Sequence, residues 1–293
     1  MARDKRLSVD RRNFLKTAAA GSMATLVANT SAATAQTPTP PRPTAPMMSK
    51  EAETENPRTA EVLTTDRPGS DFMVDVIKSL GIEYICANPG SSFRGLQESV
   101  VNYGGNKSPE FITCCHEESA VGMAHGYAKI EGKPLGVFAH STVGLQHAAM
   151  AIFNAYCDRV PVYIVLGNAL DATKRRPGVE WDHSVEDAAA MVRDYTKWDD
   201  LPISLTHFAE SAVRAYKIAM TPPSMPVLLV ADAELQENPV GENAGLRIPK
   251  LTLPSPPQGD SGAVAEAARL LTAAENPVIL VDRTARTPAG VTR

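Results

Sequence analysis

Five short apolar runs, at residues 82–87, 111–114, 135–140, 162–166 and 227–230, alternate with helical periodicity at 93–103, 119–130, 145–156 and 205–219. Short, largely apolar runs of this length suit strands buried on both faces, the condition of a parallel sheet held between helical layers. A helix precedes the first run. Ser70 or Asp71 can cap it, Met73, Val76, Ile77 and Leu80 form one apolar stripe, and Gly81 ends it. The expected fold class is α/β: a doubly wound parallel sheet with helices on both faces, plus the beginning of a second α/β domain. At 293 residues and 43% hydrophobic, the chain can bury one full core and part of another.

The ends read differently. Arg11-Arg12 before Phe14-Leu15-Lys16, then a soft Ala/Gly-rich run to Ala33-Thr34-Ala35, resembles a twin-arginine signal peptide over residues 1–35. That implies export of a folded protein to the periplasm. The run is too short and polar to span a bilayer stably. Residues 36–68, rich in Pro and Thr and then in Glu, read as a disordered linker. Residues 69–240 form the expected main domain. A Pro-rich linker at 241–261 leads to a helix near 262–274 and a strand at 278–282, so residues 262–293 read as the truncated start of a second domain. A net charge of −4 gives no basic field for nucleic acid. Cys86, Cys114, Cys115 and Cys157 have no metal-type spacing and are expected to be buried thiols.

Three strand ends carry chemistry-bearing residues. Cys114-Cys115-His116-Glu117-Glu118-Ser119-Ala120-Val121-Gly122-Met123-Ala124-His125-Gly126-Tyr127-Ala128 puts a carboxylate at the mouth of a helix poor in bulk. Dry surroundings there would perturb the carboxyl group, and small residues would admit a backbone or a flat ligand. Two acids in a first turn can equally serve the helix dipole. Asn88-Pro89-Gly90-Ser91 follows the first strand, at the edge where open α/β sheets bind ligands, although a plain capped turn has the same composition. His140-Ser141-Thr142-Val143-Gly144 ends the third strand, and a strand-end histidine is often structural. His125 and His183 lack a second metal ligand at helical spacing and read as packing or loop residues, and Lys174-Arg175-Arg176 reads as a solvated loop.

Taken together, His116-Glu117, Gly122, Ala124 and Gly126-Tyr127-Ala128, with Asn88-Pro89-Gly90-Ser91 and His140-Ser141, resemble thiamine diphosphate enzymes of the acetolactate synthase, pyruvate oxidase and benzoylformate decarboxylase group. The resemblance implies that residues 69–240 are the pyrimidine-binding domain of a 2-oxo acid decarboxylase or carboligase. It assigns catalytic roles to Glu117, His140 and Ser91, and cofactor contacts to Asn88, Pro89, Gly90 and Glu117. Glu117, rather than Glu118, would bind the pyrimidine ring nitrogen so that the exocyclic nitrogen can remove the thiazolium C2 proton. His140 would relay protons, and Ser91 would orient the substrate carboxylate. His147 stands where many relatives have asparagine. The family's diphosphate and Mg2+ site belongs to a C-terminal domain this sequence does not contain, and no metal ligands are expected here. The complete enzyme would be a homodimer or tetramer. The alternatives are a split-enzyme subunit, an inactive remnant, or an exported binding protein on the same fold.

Overall fold

The computed structural model describes residues 67–241, 245–255 and 258–282. The signal-like segment 1–35 and the linker up to residue 66 lie outside these residues. The leading helix, α1 (Gly69–Ser79), starts two residues earlier than a Ser70 cap would place it, with Pro68 at the cap position and no side-chain cap. Gly81 ends it at φ 73°, a left-handed conformation natural to glycine.

Six parallel strands follow: β1 (Tyr84–Ala87), β2 (Glu110–Thr113), β3 (Gly136–His140), β4 (Tyr163–Asn168), β5 (Trp198–Asp200) and β6 (Val227–Asp232). They lie in the order β2-β1-β3-β4-β6-β5. The central β3, β4 and β6 are buried almost throughout, whereas the edge strands β2 and β5 are partly open. Side chains alternate between two cores. Ile85, Phe138, Tyr163, Val165 and Leu229 face α1 and α6 (Leu205–Met220). Cys86, Val137, Ile164, Leu166 and Val230 face α3 (Glu117–Glu131) and α4 (Ser141–Cys157). Between β1 and β2 the expected single helix is three pieces: a 3-10 turn at Ser91–Phe93, α2 (Arg94–Glu98) and a π turn at Ser99–Tyr103. Two short helices, α5 (Val179–His183) and α7 (Ala233–Glu237), follow β4 and β6.

Three sequence expectations are corrected. Only Cys86 and Cys114 are buried; Cys115 and Cys157 are exposed, because β2 ends at Thr113 and Cys157 closes the last turn of α4. Arg175 is not solvated but buried, donating through Nε to the Ala169 carbonyl at 2.8 Å. Lastly, residues 278–281 form no strand. The helix before them, α8 (Ser261–Ala273), buries none of its residues, and Val278 to Val281 are exposed without a pairing partner. Among the described residues no helix is long and apolar enough to cross a membrane.

Candidate active site

The strand order reverses at β1: the chain steps from β1 to β2 on one side, then crosses to β3 on the other. Such a reversal opens a crevice beyond the carboxyl ends of the strands. The segment 88–91 leaves β1 there, α3 starts there three residues after Cys114, and His140 ends β3 there.

Glu117 is the first residue of α3, where the helix dipole favours a negative charge. Its neighbour His116 occupies the cap position and accepts from the Glu118 amide at 3.2 Å. Glu117 is 3% exposed while Glu118 is exposed, so helix phase alone separates the two acids. Asn88 Nδ2 donates to Glu117 Oε1 at 3.3 Å. Gly144 faces the same carboxylate, and a Cβ there would stand 3.0 Å from Oε1. Glu117 Oε2 is buried without a hydrogen-bond partner. His147 Nδ1, on α4, stands 3.4 Å from that oxygen. A buried acceptor left open is costly, and in a native fold it calls for a partner.

His140 sits in a second set of contacts. Its Nδ1 accepts from the Ser92 amide at 3.3 Å and lies 2.9 Å from Ser92 Oγ. A backbone N–H can only donate, so Nδ1 is unprotonated and the proton of the neutral ring rests on Nε2. That nitrogen lies 2.9 Å from His183 Nδ1, which therefore accepts. Burial, and then the neighbouring His183, lower the His140 pKa, while the Glu117 charge opposes them. Ser141, at φ 44°, turns the chain from β3 into α4. Its hydroxyl donates to the His183 carbonyl, and Thr142 Oγ1 donates to that carbonyl at 2.6 Å, fixing α5 over the strand ends. Asn168, fully buried at the end of β4, donates to the Val185 carbonyl at 2.7 Å.

The structure thus brings Asn88 to Glu117, and Gly90 to His140, where a Cβ on residue 90 would lie 2.5 Å from the histidine Cβ. Pro89 is exposed beside them. Ser91 opens the 3-10 turn, its carbonyl accepting from Arg94 at 3.1 Å. The sequence reading missed Ser92 and Asn168 and took His183, which meets His140, for a packing or loop residue. Asn168 had one signal, a polar residue closing an apolar run. His183 had none, since its partner lies 43 residues away.

Residues 67–191 match the family model described as thiamine pyrophosphate enzyme, N-terminal TPP binding domain. The acetolactate synthase large subunit of Haemophilus influenzae is 33% identical over 102 residues, 35% of this chain and 17% of that protein. Benzoylformate decarboxylase of Pseudomonas aeruginosa is 26% identical over 212 residues, 71% of this chain and 38% of its own length. The crystal structure of benzoylformate decarboxylase from Polynucleobacter necessarius shares the fold, with a TM-score of 0.61 at 24% identity over 72% of this chain and 38% of that one. The chain spans less than two fifths of the length of these relatives.

Proposed function

We propose that this chain supplies the pyrimidine side of an enzyme acting on 2-oxo acids, as a decarboxylase or an acetolactate synthase-like carboligase, a reading supported by the match of residues 67–191 to the thiamine pyrophosphate enzyme N-terminal model. The observation that carries the reading is the orphaned Glu117 Oε2, buried at the strand-order reversal and aimed where a ring nitrogen could share its proton. The donor set suits a pyrimidine: Gly144 lets the carboxylate pack close against α4 and Asn88 donates to Oε1, which leaves Oε2 for a ring nitrogen. Glu117 would hold the ring-nitrogen proton at Oε2, with Asn88, Pro89 and Gly90 lining the approach. When bound, thiamine diphosphate supplies an electron sink for breaking the bond to a 2-oxo acid carboxylate. His140 would move a proton at Nε2, and Ser91 would orient the substrate carboxylate. The diphosphate and its Mg2+ are assigned to the part of the relatives that this chain does not match, and assembly as a homodimer or tetramer belongs to the same reading.

Proton exchange at C2 of thiamine diphosphate tests the chemistry, with the chain fused to the C-terminal half of a relative. Glu117→Gln should remove most of the exchange, since a neutral amide cannot share the ring proton, and Glu118→Gln should leave it nearly intact. Equal losses in both variants would end the assignment. Export is part of the proposal, resting on Arg11-Arg12. Residues 1–40 fused to a folded reporter should carry it to the periplasm, and lysine at both positions should stop it. Unchanged export of the double variant would remove the twin-arginine reading.

A further inference from the structure

We infer that His116, Glu117 and His147 form a binding site for a divalent first-row transition ion of the zinc class, at the mouth of α3. Ligand atoms of these three residues lie within 4.8 Å of one another. They come from two elements: His116 and Glu117 from the start of α3, and His147 from the second turn of α4. The imidazole rings of His116 and His147 lie beside each other, stacked at 4.8 Å between centroids and 18° between planes, so one ring must turn out of the stack for both to face a single ion.

An independent observation points to a ligand. Glu117 Oε2 is buried and makes no hydrogen bond, and the polar atom facing it, His147 Nδ1, stands 3.4 Å away. Two ligand atoms bound to one tetrahedral zinc at about 2.0–2.1 Å lie about 3.3 Å apart. The Oε2–Nδ1 separation is already that of two ligands sharing an ion. The edges to His116 lie within 4.8 Å and must close to about 3.3 Å, and His147, whose side chain is 51% exposed, has the freedom to turn. His116 would give up one neutral hydrogen bond from the Glu118 amide if it bound through Nδ1. Two imidazoles and one carboxylate suit zinc, cobalt or nickel better than magnesium or calcium, which favour oxygen ligands. Three protein ligands would leave a fourth position for water.

The test uses the full chain free of any polyhistidine tag, without cofactor, titrated with zinc chloride by calorimetry and with cobalt(II) by visible absorption. One ion per chain should bind, with a micromolar dissociation constant and the intense visible bands of tetrahedral cobalt. His147→Ala should weaken zinc at least ten-fold. His116→Asn, which keeps a capping side chain, should do the same. His125→Ala, remote from the cluster and paired with Asp158, should change nothing. Circular dichroism reports whether each variant folds, and His147→Asn replaces His147→Ala if the latter does not. No binding at millimolar zinc, or binding that His147 variants leave unchanged, would overturn the site. One corollary rests on the cofactor reading: zinc and the pyrimidine would exclude each other at Glu117. Zinc binding that thiamine diphosphate fails to weaken would remove that corollary and leave the ion site standing.

Discussion

His140 joins protonation to folding. Its Nδ1 is committed to the Ser92 amide, so the folded chain favours the neutral ring. Burial and His183 pull its pKa below the ordinary value of 6.5. Below that ordinary value the unfolded chain binds the proton more readily than the folded one, so stability falls as the pH drops. The loss grows until the lowered pKa of the folded state is passed. Urea unfolding at pH 7.5 and 5.5 should therefore show a larger loss in the native chain than in His140→Gln, which cannot gain that proton. A parallel loss in both would assign the pH dependence to other groups. Glu117 and Glu118 make the companion point. Adjacent in sequence and alike in chemistry, they differ because one faces the crevice and the other faces solvent.

Individual elements are held by groups that their own sequence does not advertise. Lys197, just before β5, sends Nζ to the carbonyls of Ile218 at 3.0 Å, Thr221 at 2.5 Å and Pro223 at 2.9 Å. It thereby closes the carboxyl end of α6 with a positive charge, where the helix dipole favours one. Lys197→Met keeps the stem and removes the donors, and should cost about 2 kcal/mol in urea unfolding. A change under about 0.5 kcal/mol would show that water replaces the ammonium at no loss. Gln236, fully buried on α7, plays a similar part: Nε2 donates to the Ser92 and Ala231 carbonyls at 3.0 Å, and Oε1 accepts from the Leu96 amide at 3.3 Å. Through Ser92 it fixes the turn that meets His140.

On the scale of the whole chain, burial is uneven. The sheet and its two helical layers bury nearly every apolar strand residue, whereas α8 and residues 278–281 bury nothing. Backbone without buried contacts opens at little free-energy cost, and proteases follow that opening. Brief trypsin digestion should cut at Arg269, within α8, well before any site within α6. Mass spectrometry of the early fragments checks this. Early cleavage at Arg214 or Lys217, inside α6, would contradict it.

The alternation of apolar runs determined the α/β class, the parallel sheet and five of its strands, because a strand buried on both faces must be apolar along its length. The strand β5 escaped, since Trp198–Asp200 is short, acidic and paired on one side only with β6. The region after Ser91 read as one helix but folds as three turns, two of whose residues, Ser92 and Leu96, are tied to a glutamine 140 or more positions away. The site divides in the same way. Strand-end position picked out the segments 88–91, 114–118 and 140–144, because the carboxyl ends of parallel strands share one edge, while the family resemblance singled out Asn88, Gly90, Glu117 and His140 within them. Their pairing was not legible. That depends on β1 lying between β2 and β3, which sets Asn88 against Glu117. The contacts of His140 with Ser92 and His183, and of His147 with Glu117, join residues 30 to 48 positions apart. Local sequence dictates periodicity and caps through short-range sterics and hydrogen bonds. Which side chains face one another across the crevice is decided by strand order and helix phase, and these exist only once the sheet has formed.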